Sequence, residues 1–216
     1  DAWVASWVEK VDEMTASRPV IVTGSTTSHL APVLARVVGE RLRVFHVHRH
    51  PLNVCAASYV GPWDHDWHAP PSFEKDSTAP VLTPADPWVR HVEIEPRWSS
   101  LGPFAHIAYG WLERTGAGLE FASRYPEVPH RLLSAEPQLF ASEEWLEAVA
   151  GFAGLPVLPG VARKTPSRNT SWVRSVEERP LGDAWTQLRQ LPELVALASS
   201  LGHGFGEEEL AGRAAK

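Results

Sequence analysis

At Pro51 the chain changes character. Upstream, "RLRVFHV" (residues 41–47) is a short apolar run, and His46, His48 and His50 recur at every second position, the spacing that puts side chains on one face of a strand. Downstream, "PLNVCAASYV" (residues 51–60) reads as a helix with proline in its first turn, the place that tolerates it best. The same order occurs just before it. "RPVIVTG" (residues 18–24) is a short apolar strand stopped by Gly24, and the hydroxyl cluster "STTS" then opens a helix that runs to Val38 and ends at Gly39. Strand, helix, strand, helix is the order of a βαβ unit, so the expected fold is α/β, with a parallel sheet and helices on its faces.

The rest of the chain is read against that start. Trp3, Val4, Trp7, Val8, Val11 and Met14 fall at three- and four-residue steps, which predicts an amphipathic helix over Asp1 to Ser17. Residues 62–98 are crowded with proline and tryptophan and show neither a strand nor a helix period, so a long irregular loop is expected there, a type that often carries function. Phe104, Ile107, Ala108, Trp111, Leu112, Leu119 and Tyr125 share a face and predict a long core helix, broken in pattern by Gly116 and Gly118. "VPHRLLSA" (residues 128–135) offers another strand, Ser142 caps a helix over "EEWLEAVAGFA", and residues 159–180 form a basic loop. A last helix holding Leu194, Val195, Leu197 and Ala198 stops at Gly202.

Composition narrows the classes of function. With 216 residues, 44% of them hydrophobic, there is enough apolar material for a real core; a single domain over residues 1–216 is the expectation, two small lobes the other arrangement. A net charge of -6 gives no global basic field for nucleic acid or anionic lipid and leaves only a local anion pocket. The single cysteine, Cys55, rules out an internal disulfide framework and agrees with a reducing cytoplasm. No apolar run approaches the roughly 18 residues that cross a bilayer. The expectation is a cytoplasmic protein that takes a small ligand and neither nucleic acid nor membrane; oligomeric state is not legible.

Three constellations carry chemistry. Imidazoles at every second position of a strand, with "DHDWH" (residues 64–68) nearby in sequence, have the ligand types of a zinc or iron site, which would make the chain a metal-dependent hydrolase using His46 and His48. Pro51 turns the chain directly after His50, which works against three parallel imidazoles, so no metal is expected. The second constellation is a phosphate site: Arg49 at a strand end, followed by a helix, sets a guanidinium beside free backbone N–H groups, and Ser58 two turns on offers a hydroxyl. The third, "TGSTTS" (residues 23–28), has the hydroxyls of a phosphate cradle but lacks the lysine and the glycine spacing of a Walker A loop. No G-x-S-x-G elbow supports a nucleophilic serine, and Cys55, inside the helix after Arg49, reads as buried.

"VFHVHRHPLNVCAASY" resembles the 3′-phosphate-binding segment of sulfotransferases that use 3′-phosphoadenosine 5′-phosphosulfate (PAPS), in which a strand ends in Arg, then Asp, Asn or His, then Pro, and a helix carries a Ser. "RPVIVTGSTTSHLAPVLARVVGERLRV", "RWSSLGPFAHIAYGWLE", "HRLLSAEPQLF", "LEAVAGFAGLP" and "LPELVALASSLGHG" are similar to segments of bacterial members, so the resemblance spreads over residues 1 to 205. It implies a three-layer α/β/α domain with a parallel sheet, of P-loop-NTPase-like architecture. It also implies transfer of a sulfuryl group from PAPS, as co-substrate, to a hydroxyl or amine of a small molecule or glycan. Carried over, Arg49 and Ser58 hold the 3′-phosphate, although the family more often has its serine where Ala57 stands. Arg163 and Lys164, in "RKTPSRN", resemble the basic loop that closes on the same phosphate. His65 and His68 are candidate bases for the acceptor proton. The family's Pro-Lys/Arg-Ser-Gly-Thr-Thr loop, which holds the 5′-phosphosulfate, does not occur in residues 1–216. It lies upstream, or another polypeptide supplies it, or the chain is an accessory, non-catalytic domain of the same fold that binds a nucleotide or a partner.

Overall fold

A computed structural model of the chain describes residues 2–17, 19–21, 27–60, 82–134, 143–156 and 184–205. Those residues are mostly helical, with one small sheet. In chain order they form α1 (Ala2–Ser17), α2 (Thr27–Val38), β1 (Val44–His48), α3 (Pro51–Val60), a 3₁₀-helix (Val92–Ser100), α4 (Pro103–Arg124), β2 (His130–Ser134), α5 (Glu143–Ala153), α6 (Ala184–Arg189) and α7 (Pro192–Ser200). β1 and β2 pair in parallel, in register from Val44 opposite His130 to His48 opposite Ser134. The sheet is parallel, as expected, although the partner of β1 is His130–Ser134 and not the run of residues 18–24, and two strands are its extent among the described residues.

Two expectations are corrected. Pro19 to Ile21 take no strand conformation, and the rest of the apolar run, from residue 22 to 24, lies outside the described residues. The long loop expected over residues 62–98 gives way at its end to the 3₁₀-helix Val92–Ser100. Pro96 inside it donates no N–H, and a three-residue turn accommodates such a residue more readily than a long α-helix does. Residues 61–81 and the basic stretch 159–180 lie outside the described residues.

The chain divides into two compact units, one of residues 1–48 and 114–165, the other of residues 49–113 and 166–216. In the first, Ala31 and Ala35 of α2 and Phe121 of α4 are buried with Val128, and Leu42, Val44 and Tyr125 pack against them. Phe121 and Tyr125, one helical turn apart, stack with ring centroids 4.9 Å apart. In the second, Ile94, Phe104, Tyr109, Leu112, Leu188, Leu191 and Leu194 form a core with Cys55. Arg97 reaches Glu193 at 2.6 Å and the Gln190 carbonyl at 3.0 Å, tying the 3₁₀-helix to the start of α7.

Proline and glycine set the ends of α7. Pro192 opens it, where a missing N–H costs nothing. Gly202, at φ 79°, reverses the chain after it, and the His203 amide returns to the Ala198 carbonyl at 2.9 Å. That turn aims His203, Gly204 and Phe205 at the residues described next.

Candidate functional site

Arg49 and His50 begin the second unit. The Arg49 carbonyl accepts the indole N–H of Trp111 at 3.1 Å, so a residue in the middle of α4 fixes the backbone just before α3. Arg49 itself is half-buried, and its Nε is buried with no hydrogen-bond partner among the described residues. A buried guanidinium N–H left without an acceptor costs about 1–3 kcal/mol.

His50 is fully buried and acts as the N-cap of α3. The Leu52 amide donates to its Nδ1 at 3.1 Å. Nδ1 therefore carries the lone pair and Nε2 the proton, which fits the 3.1 Å contact from Nε2 to the Gly204 carbonyl. The amides of Asn53 and Val54 bond the His50 carbonyl at 3.0 and 3.3 Å, and Pro51 has none. This corrects one expectation. The free backbone N–H groups read from the sequence at the start of α3 are already engaged, because a histidine placed before a proline caps the helix with its own ring.

The other histidines of the strand belong to the first unit. His46 lies on one face of β1 and His130 on the same face of β2, with ring centroids 6.3 Å apart. His46 Nδ1 and His130 Nε2 are both buried and have no hydrogen-bond partner among the described residues. Burial first, then the fields of His130 and His48, lower the His46 pKa to about 4. Burial lowers that of His130 as well. The ring of His46 lies so close to α4 that a Cβ on Gly118 would collide with its Nδ1 and Cε1, which explains the glycine. His48 is buried opposite Ser134. Among the described residues no three His, Cys, Asp or Glu side chains gather to hold a metal.

The structure thus describes Arg49 and leaves its expected companions aside. Ser58 lies in α3 with its side chain outside what is described, and His65, His68, Arg163 and Lys164 fall outside the described residues altogether. Three residues that matter locally carried only weak signals in the sequence. Trp111 and Gly118 sit within the core-helix pattern, and Glu113 is an acid beside its apolar face. Glu113 is 2% exposed and accepts the amides of Arg90 and His91, each at 2.9 Å, so its carboxylate anchors the chain just before the 3₁₀-helix. Among the described residues no helix is long and apolar enough to cross a membrane. Comparison of the chain with family models, with curated proteins and with solved structures finds no match.

Proposed function

We propose that this chain binds a 3′-phosphorylated adenine nucleotide through Arg49 and serves sulfuryl transfer from PAPS to a hydroxyl or amine of a small molecule or glycan. The observation that carries the reading is the Arg49 Nε, buried and without an acceptor among the described residues, two positions before the Pro51 that opens α3. A phosphate oxygen is the acceptor that suits a guanidinium best, because it takes the planar fork with charge-assisted bonds. In this reading β1 and β2 are neighbours in the parallel sheet of a three-layer α/β/α domain. Ser58, Arg163 and Lys164 join Arg49 around the 3′-phosphate. The acceptor oxygen or nitrogen attacks the sulfur, and the bond from sulfur to the 5′-phosphate oxygen breaks. 3′-Phosphoadenosine 5′-phosphate leaves, and the acceptor proton passes to a base, for which His65 and His68 are the candidates. Such a transfer asks the protein for alignment and charge stabilisation more than for covalent chemistry.

One observation favours a second reading. Since the first amides of α3 are engaged by His50, the described part of the site offers one cation and no amide cradle, which also suits an accessory domain that binds a nucleotide without turning it over. Calorimetry with 3′-phosphoadenosine 5′-phosphate tests the binding common to both. Arg49→Ala is expected to lower affinity about 10- to 100-fold, the worth of a charge-assisted pair, with Arg49→Lys between. Absence of binding by the wild-type chain, or no effect of Arg49→Ala, would overturn both readings. Zinc or iron retained stoichiometrically through dialysis would instead favour a hydrolase using His46 and His48. Sulfuryl transfer assayed with PAPS then separates the enzyme from the accessory domain.

A further inference from the structure

The ring of His50 joins two segments that are 154 positions apart in the chain. Its Nδ1 takes the Leu52 amide of α3, its Nε2 proton goes to the Gly204 carbonyl, and Phe205 stacks on its face with centroids 5.4 Å apart. His203 and Trp185 meet the same ring edge-on, at 5.3 and 5.9 Å. Both polar ends of one buried ring are therefore committed to backbone, one at a helix start and one in the turn after α7. The residue immediately before it is Arg49, whose carbonyl is itself held by Trp111.

We propose that His50 is a positioning residue that latches His203–Phe205 onto the start of α3, so that a ligand on Arg49 and the order of residues 203–205 are linked. The ligand half rests on the nucleotide reading above; the latch does not. Two substitutions separate the two ends of the ring. His50→Asn keeps an acceptor for the Leu52 amide, as asparagine is among the best N-caps, but its shorter side chain loses the donor to Gly204. His50→Gln reaches as far as the ring and keeps that donor while giving up the cap.

Hydrogen–deuterium exchange reads both ends at once. In His50→Asn without ligand, exchange over residues 198–205 is expected to quicken about tenfold, the loss of one buried hydrogen bond, while residues 51–60 change little. His50→Gln is expected to do the reverse. Phe205→Leu, which leaves both ring hydrogen bonds in place, is expected to fall between wild type and His50→Asn over residues 198–205. Adding 3′-phosphoadenosine 5′-phosphate is expected to slow exchange over residues 198–205 in wild type and His50→Gln, and not in His50→Asn. Equal ligand-free exchange over residues 198–205 in wild type and His50→Asn overturns the latch, whatever the nucleotide does. A wild-type chain that binds the nucleotide without any slowing over residues 198–205 overturns the linkage. A chain that binds no nucleotide overturns the functional reading, and the ligand-free comparison still decides the latch.

Discussion

His50 and His46 stand four positions apart in the sequence, and their surroundings differ in kind. In the unit of residues 49–113 and 166–216, His50 has a backbone partner at each ring nitrogen, and those partners fix its tautomer. In the unit of residues 1–48 and 114–165, His46 and His130 each bury a ring nitrogen with no partner among the described residues. A buried polar atom with a partner holds its neighbours in place. Burial of the His46 ring, with the fields of His130 and His48, disfavours its charged form and lowers its pKa to about 4. The first arrangement positions backbone next to Arg49; the second keeps a sheet face neutral and packed against Gly118.

The sharpest way to break this comparison lies in the unit that holds His50. Glu113→Ala leaves two part-buried amides, those of Arg90 and His91, without their acceptor and is expected to cost about 2–4 kcal/mol in urea unfolding. Glu113→Gln, which keeps one acceptor oxygen, should cost about half as much. A loss below about 1 kcal/mol from Glu113→Ala would show that solvent replaces the carboxylate and that the unit is less closed than its hydrogen bonds imply.

Acid probes the other unit. Because the folded pKa of His46 lies at about 4, below its ordinary 6.5, the unfolded chain takes up the proton first. Its contribution to stability is therefore complete above about pH 6.5 and drains away as the pH falls toward 4, by up to about 3 kcal/mol. His130, also lowered, acts in the same direction. Exchange over residues 44–48 and 130–134 should rise across that window, and His46→Leu should flatten the response. A histidine resonance of His46 that titrates near 6.5 would contradict the packing described here.

The fold was legible wherever proline and glycine punctuate an apolar period. Pro51 marks a helix start and Gly202 a helix end, and each holds in the structure because the residue's own backbone preference decides the local outcome. Val92–Ser100 escaped because a short 3₁₀-helix containing a proline leaves no period to read. The site was half legible. Arg49 stood out beside Pro51, but the engagement of the α3 amides by His50 depends on a ring whose other partner is Gly204, and no local pattern announces a pairing that distant. Glu113 carried a signal, an acid beside the apolar face of a core helix, yet its partners lie 22 and 23 positions back and become evident only in three dimensions.

Two glycines give the same comparison on a finer scale. A Cβ at Gly118 would strike the ring of His46, including its Cγ, the ring atom nearest the backbone of a paired strand. Gly118→Ala should therefore cost about 2 kcal/mol even after the gain in helix propensity, and His46→Ala in the same chain should recover most of it. A Cβ at Gly102 would meet the amide end of Gln187 instead, the far end of a flexible side chain. What Gln187 gives up by turning away is the bond its Oε1 accepts at 2.8 Å from the Phe104 amide in the first turn of α4. Gly102→Ala should then cost about 1 kcal/mol, the net worth of one such bond, and Gln187→Ala should remove the penalty in the double variant. Equal losses at the two glycines would mean that the His46 ring yields as readily as the end of Gln187, and the contrast between the two contacts would fail.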